Sequence, residues 1–170
     1  EQAARLDGVD RVLLCSAAAN EPPLAAVAAP QIVELAREHT HLLAPSTTFG
    51  KDLMPRVAAL LGVGQVSDVM AVLGSHRFKR PIYAGNVVVT VAAPPDRPLV
   101  ATIRTASYAP ARPRAAGAAP IERRASSVAL PGHTRLVDRR GASSDRPDLQ
   151  SAARVVAGGR ALADAAGFRL

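Results

Sequence analysis

Gly158-Gly159-Arg160 is the triplet of this 170-residue chain whose residue types and spacing have the plainest chemical use. Residues 153–157 read as a strand and a helix is expected from about Arg160, so the glycines should stand at a strand's carboxyl end. Glycines let backbone amides approach a phosphate, a helix start adds partial positive charge, and a guanidinium can pair with two phosphate oxygens at once. A plain tight turn would use the same residues. Phe49-Gly50-Lys51-Asp52 stands at a second expected helix start, with Ser46, Thr47 and Thr48 before it. A capping threonine, a packed Phe49 and a solvated Lys51 account for those residues without a ligand, and no site is assigned there.

Other reactive side chains are scattered. His39, His41, His76 and His133 include no pair at the i, i+4 spacing with a carboxylate that marks a zinc helix, so no metal is expected. Ser46, Ser75 and Ser107 lie outside any Gly-x-Ser-x-Gly elbow, which leaves hydrolase chemistry without support and no catalytic residue to name. Cys15 has no second thiol to pair with and reads as buried strand filler.

The elements expected to carry these residues form an α/β fold. Residues 9–15 and 41–44 read as neighbouring parallel strands, each followed by a helix, at about 22–39 and 50–61, with Gly62 placed to end the second. Beyond Gly64, residues 69–73, 82–84, 87–91 and 99–104 read as short strands, and the Pro94-Pro95-Asp96 turn makes this block antiparallel. Edge strands are possible at 121–125 and 134–139. Residues 153–157, with the helix after them, are expected to be the first strand and helix of a second α/β domain.

With 48% apolar residues the chain can bury a core, and no apolar run reaches the roughly 18 residues of a spanning helix. Its net charge is +7, and most of the excess comes from Arg112, Arg114, Arg123, Arg124, Arg135, Arg139, Arg140 and Arg146. That Pro/Ala/Gly/Ser-rich stretch lacks the interleaved aromatics on which bases stack, so it reads as a solvated linker and not a nucleic-acid surface. It is expected to be the least ordered part of the first domain. Both ends read as cut, Glu1 with no initiator Met and Leu170 inside an expected helix, so the chain is expected to be a piece of a longer protein.

Four patterns occur in order: Phe49-Gly50-Lys51 with Pro55-Arg56-Val57-Ala58-Ala59, Ser67-Asp68, Arg80-Pro81-Ile82-Tyr83-Ala84-Gly85-Asn86, and Ser144-Asp145-Arg146-Pro147-Asp148-Leu149 followed by Gly158-Gly159-Arg160. Together they resemble the alpha subunit of electron transfer flavoprotein, from about Val9 to Leu170. The resemblance implies that residues 1–142 are most of an α/β scaffold domain facing a beta subunit, and that 143–170 begin an FAD-binding domain. In that family the arginine matching Arg160 contacts FAD, which makes Arg160, Gly159 and Gly158 the expected cofactor-binding residues. Ala161, Asp164 and Ala166 depart from the family's Gly, Ser and Glu, whereas Phe168 and Leu170 keep its spacing.

The function implied is that of an electron carrier and not an enzyme. As a heterodimer with a beta subunit, and with FAD, it would take electrons from acyl-CoA and other dehydrogenases of fatty acid beta-oxidation and related pathways. It would pass them to a membrane quinone oxidoreductase. The bacterial-type chain implies a cytoplasmic location, with no nucleic acid and no membrane insertion. Without the resemblance, the residues describe a nucleotide- or small-molecule-binding α/β module with no redox role, using the loops after the first two strands.

Overall fold

In the computed structural model, residues 1–17, 20, 21, 23–138, 149 and 152–169 are described, and they divide into one unit at 1–136 and another at 137–170. The first unit contains β1 (Val12–Leu14), α1 (Ala25–Ala36), β2 (His41–Pro45), α2 (Thr48–Leu61), β3 (Gln65–Val69), β4 (Ala71–Gly74), β5 (Arg77–Ile82), β6 (Val87–Ala92), β7 (Leu99–Ile103) and β8 (Ile121–Arg123). The fold is α/β, as expected, with parallel sheets, two helices and an antiparallel block. Among the described residues no helix is long and apolar enough to cross a membrane.

Local signals explain α2. Thr47 accepts a hydrogen bond from the Gly50 amide at 3.1 Å, satisfying one of the donors that a helix start leaves open. At the other end Gly62 takes a left-handed conformation, φ 66° and ψ 31°, and its amide closes onto the carbonyls of Ala58 and Ala59. The first helix is shorter than expected, starting at Ala25 and ending at Ala36. Leu24 supplies its opening carbonyl to the amides of Val27 and Ala28, and His39 Nδ1 bonds to the Leu35 carbonyl just past its end.

The parallel sheet has the order β2-β7-β3. Leu99, Val100, Ala101 and Thr102 are each at most 3% exposed, because helices cover one face of β7 and the antiparallel strands the other. Ala25, Ala29, Leu53, Met54, Val57 and Ala58 pack with Val100 on the helical side, while Val69 and Phe78 pack with Leu99 and Ala101 on the opposite side. The antiparallel meander β4-β5-β6 supplies Phe78, and its β5–β6 turn at Tyr83–Gly85 runs through three consecutive positive-φ residues. Tyr83, at the start of this turn, is 76% exposed.

Several expectations about pairing are corrected. Residues 9–15 and 41–44 are not hydrogen-bonded neighbours: β1 pairs with β8, and β2 with β7, both in parallel. The strand at 99–103 leaves the antiparallel block, because its unbroken apolar run is satisfied only where both edges and both faces are covered. The expected strand at 69–73 is interrupted at Met70, whose amide donates to the Lys79 carbonyl, so that β3 and β4 lie in different sheets. Residues 134–138 carry no strand.

The stretch read as a solvated linker is tied down over its first part. Asp7 donates its amide to the Arg112 carbonyl, Arg114 and Ala119 donate theirs to the carbonyls of Arg5 and Ala4, and Ala119 is buried. Main-chain bonds hold this segment despite its lack of large apolar side chains. Farther along, the Ser126 and Ser127 hydroxyls donate to Glu34 on α1 and, Ser127 first, hold its carboxyl below the usual range.

Gly50 stands so close to β2 that an added Cβ would fall 2.0 Å from the Pro45 carbonyl oxygen. Gly50→Ala must push α2 away from the strand and should cost about 1–3 kcal/mol. Gly64→Ala, whose new carbon would meet nothing within 4 Å, should change stability by about 0.5 kcal/mol or less. Urea unfolding of the two variants tests this, and equal midpoints would refute it.

Candidate functional site

The Gly158-Gly159-Arg160 segment belongs to the second unit, where the described residues carry neither the strand expected at 153–157 nor an α-helix after it. Arg160–Leu162 instead forms one 3-10 turn, in which the Leu162 amide bonds to Gly159 O at 3.1 Å. Ala163 breaks the turn at φ 57°, ψ −56°, with the Asp164 amide reaching back to Leu162 O at 2.7 Å. Asp164 then accepts from the amides of Ala166 and Gly167 and opens a second short turn, Ala166–Phe168. A lone strand finds no ladder to join among these residues, and a three-residue turn has no appreciable helix dipole.

The two glycines have different surroundings. A Cβ on Gly158 would lie 2.1 Å from Leu162 Cδ1 and 2.5 Å from Phe168 Cζ, so internal packing already explains this glycine. A Cβ on Gly159 would meet nothing within 4 Å. Arg160 is exposed and forms no ion pair among the described residues. The arrangement thus offers a free guanidinium beside open backbone, which suits one side of a phosphate or pyrophosphate and encloses nothing.

A second cluster lies at the carboxyl end of the β2-β7-β3 sheet, where open α/β sheets commonly bind ligands. A bulge in β3 between Val66 and Val69 puts Asp68 at φ 59°, and the Asp68 amide donates to Thr102 Oγ1 at 2.9 Å. Arg104, just past β7, donates Nε to Asp68 Oδ2 at 3.1 Å and Nη2 to the same oxygen. Lys51 is exposed, Thr47 is occupied as the cap, and Phe49, expected to pack beneath, is 40% exposed. With its carboxylate neutralised by Arg104, the cluster is a latch between strand ends and not a proton-transfer site. Sequence reasoning missed the pair because its members lie 36 residues apart and meet only through the bulge.

His39 and His41 have structural hydrogen-bond partners. His41 Nε2 donates to Ser75 O at 2.7 Å, its Nδ1 bonds to Thr40 Oγ1, and its ring meets His76 edge-on at 5.3 Å. Cys15 lies just beyond β1, half-buried and not inside the strand, and its carbonyl accepts from Asn20. Among the described residues no group of three His, Cys, Asp or Glu could hold a metal ion.

The hydrogen bonds from Arg104, helped by the charge of Lys51 and opposed by partial burial, hold the Asp68 carboxyl below the usual carboxylate range. A depressed folded-state value means that the stabilisation is complete above the unfolded value of about 3.9 and is lost as pH falls through the folded one. Asp68→Asn, which keeps a residue tolerant of left-handed backbone, should cost about 1–2 kcal/mol near neutral pH and progressively less below about pH 4. Denaturant melts of both proteins across this range check it, and a pH-independent difference would count against the ion pair.

Residues 1–129 match the electron transfer flavoprotein domain family. Over all 170 residues the chain is 45% identical to the electron transfer flavoprotein subunit alpha of Paracoccus denitrificans, covering 54% of that protein. It is 41% identical over its whole length to the same subunit of Pseudomonas aeruginosa, again covering 54%. Over 78% of this chain and 38% of the relative, it is 40% identical to the mitochondrial alpha subunit of Arabidopsis thaliana. The chain therefore spans about half the length of the curated relatives it matches. With the family's domain matched across most of its length, the chain belongs to the electron transfer flavoprotein family.

Proposed function

We propose that this chain is part of an alpha subunit that pairs with a beta subunit, binds FAD and carries electrons without turning over a substrate of its own. The observation that carries the reading is the likeness to alpha subunits along all 170 residues, including the Gly158-Gly159-Arg160 region beyond the matched domain. Acyl-CoA and other dehydrogenases are the proposed donors, a membrane quinone oxidoreductase the acceptor, and the cytoplasm the location. Residues 1–142 are proposed as the scaffold domain and 143–170 as the start of the flavin domain, a boundary that falls outside the described residues.

Of FAD, the described residues fit the pyrophosphate alone. The guanidinium of Arg160, without an ion pair among the described residues, and the open backbone at Gly159 can take phosphate oxygens, whereas the space beside Gly158 is filled by Leu162 and Phe168. Bound FAD supplies the redox chemistry, and Arg160 would orient it by charge-assisted bonds. A binding module without redox role, using the loops after β1 and β2, gains no support at the second of them, because Thr47 is committed to its helix.

Two measurements test this reading. The complete protein co-expressed with its beta subunit should retain flavin that an acyl-CoA dehydrogenase and its substrate can reduce, and Arg160→Ala should weaken flavin retention roughly tenfold or more. A flavin-free complex, or one that dehydrogenases fail to reduce, would overturn it. The 170-residue chain by itself should bind FAD weakly or not detectably, since one cation and a few amides offset little of the cost of association. Flavin fluorescence titration checks this, and submicromolar binding abolished by Arg160→Ala would contradict it.

A further inference from the structure

A cavity of about 350 Å³ opens at the amino end of β3 and β7, between those strands, the end of β6 and the 93–98 connection. Its walls are largely apolar, including Val63, Val66, Val91, Pro98 and Leu99. Three polar groups interrupt them. The first is Arg80 of β5, half-buried, whose Nε donates to Ser67 O at 2.7 Å and whose Nη2 donates to Ser67 Oγ at 3.1 Å. Both acceptors are neutral, and among the described residues Arg80 forms an ion pair with no carboxylate. The second is Gln65, whose Oε1 is buried and accepts no hydrogen bond among the described residues. The third, Arg97 at the rim, is paired with its exposed neighbour Asp96.

A guanidinium has five N–H donors in a fixed plane. Ser67 occupies the Nε/Nη2 side of Arg80, which orients the plane and leaves the terminal fork, one N–H from each Nη nitrogen, without an acceptor. That fork matches the two oxygens of a carboxylate. A half-buried cation answered only by neutral oxygens and a buried carbonyl oxygen with no donor are both costly to leave unmet. A ligand meets both needs if it carries a carboxylate for Arg80, an apolar body for the valine and leucine walls, and a hydroxyl or N–H for Gln65. We infer that this cavity is a binding site for small carboxylates with an apolar body and a hydrogen-bond donor. The inference is independent of flavin binding and lies within the scaffold unit.

Calorimetric titration of the purified protein with 4-hydroxybenzoate, benzoate, benzamide and inorganic phosphate tests the site. The two carboxylates should bind with one-to-one stoichiometry, 4-hydroxybenzoate up to about tenfold tighter, while neutral benzamide and phosphate, which lacks an apolar body, should give no saturable heat. Arg80→Gln should weaken both carboxylates more than about tenfold. Gln65→Leu should erase the preference for the hydroxylated probe and leave benzoate binding unchanged. Should Arg80→Gln unfold the protein by releasing Ser67, the benzoate-to-benzamide comparison on the unaltered protein and the Gln65→Leu titration remain decisive. Benzamide binding as well as benzoate, carboxylate binding that survives Arg80→Gln, a probe preference that persists in Gln65→Leu, or no carboxylate binding at all would each overturn the proposal.

Discussion

Leu99 through Thr102 leave water almost completely, and a strand buried on both faces must place its amides and carbonyls in ladders on both edges. Much of the first unit's arrangement follows from that requirement. The β2-α2-β3 segment lays down two parallel strands with a gap between them, and β7 fills the gap in register with both. The helices close one face of the inserted strand, and Phe78 from the meander closes the other. Even the polar member of the strand is accommodated, since the buried Thr102 hydroxyl accepts the Asp68 amide where β3 bulges.

That accommodation sets the electrostatics around β3. At the carboxyl end, the bulge turns Asp68 toward Arg104, and the positive charge there is answered within the chain. Ser67, the residue beside Asp68, holds Arg80 in the cavity wall with neutral oxygens only. Adjacent residues of one irregular strand thus anchor two arginines in opposite states, one neutralised and one not. The charge available for recognition lies away from the end where α/β sheets usually bind ligands.

Features governed by near neighbours were legible in the sequence. Thr47 as cap and Gly62 as helix stop each depend on a few consecutive residues, and each stands as expected. Strand partners were less legible, because the Leu99 to Ile103 run looks the same whether it pairs with β6 across the Pro94-Pro95 turn or with β2 and β3 far upstream. The Asp68 and Arg104 pair was hidden for the same reason, and Arg80 drew notice only as part of a recognisable pattern. Val155 and Val156 have strand-forming side chains, yet they are 54% and 90% exposed and unpaired, because propensity without a neighbouring strand makes no sheet.

The parallel pairing of β1 with β8 has a consequence for how the chain comes to be folded. Arg114 reaches back to the Val9 carbonyl across 105 residues of sequence, and Ile121 lies opposite Val12. During synthesis, Val12 to Leu14 would emerge long before their partner strand and present an open, apolar edge while ribosomes add the intervening chain at roughly 5–20 residues per second. The nascent protein would therefore pass through seconds in which this edge is open to other chains, an exposure that the folded structure no longer shows.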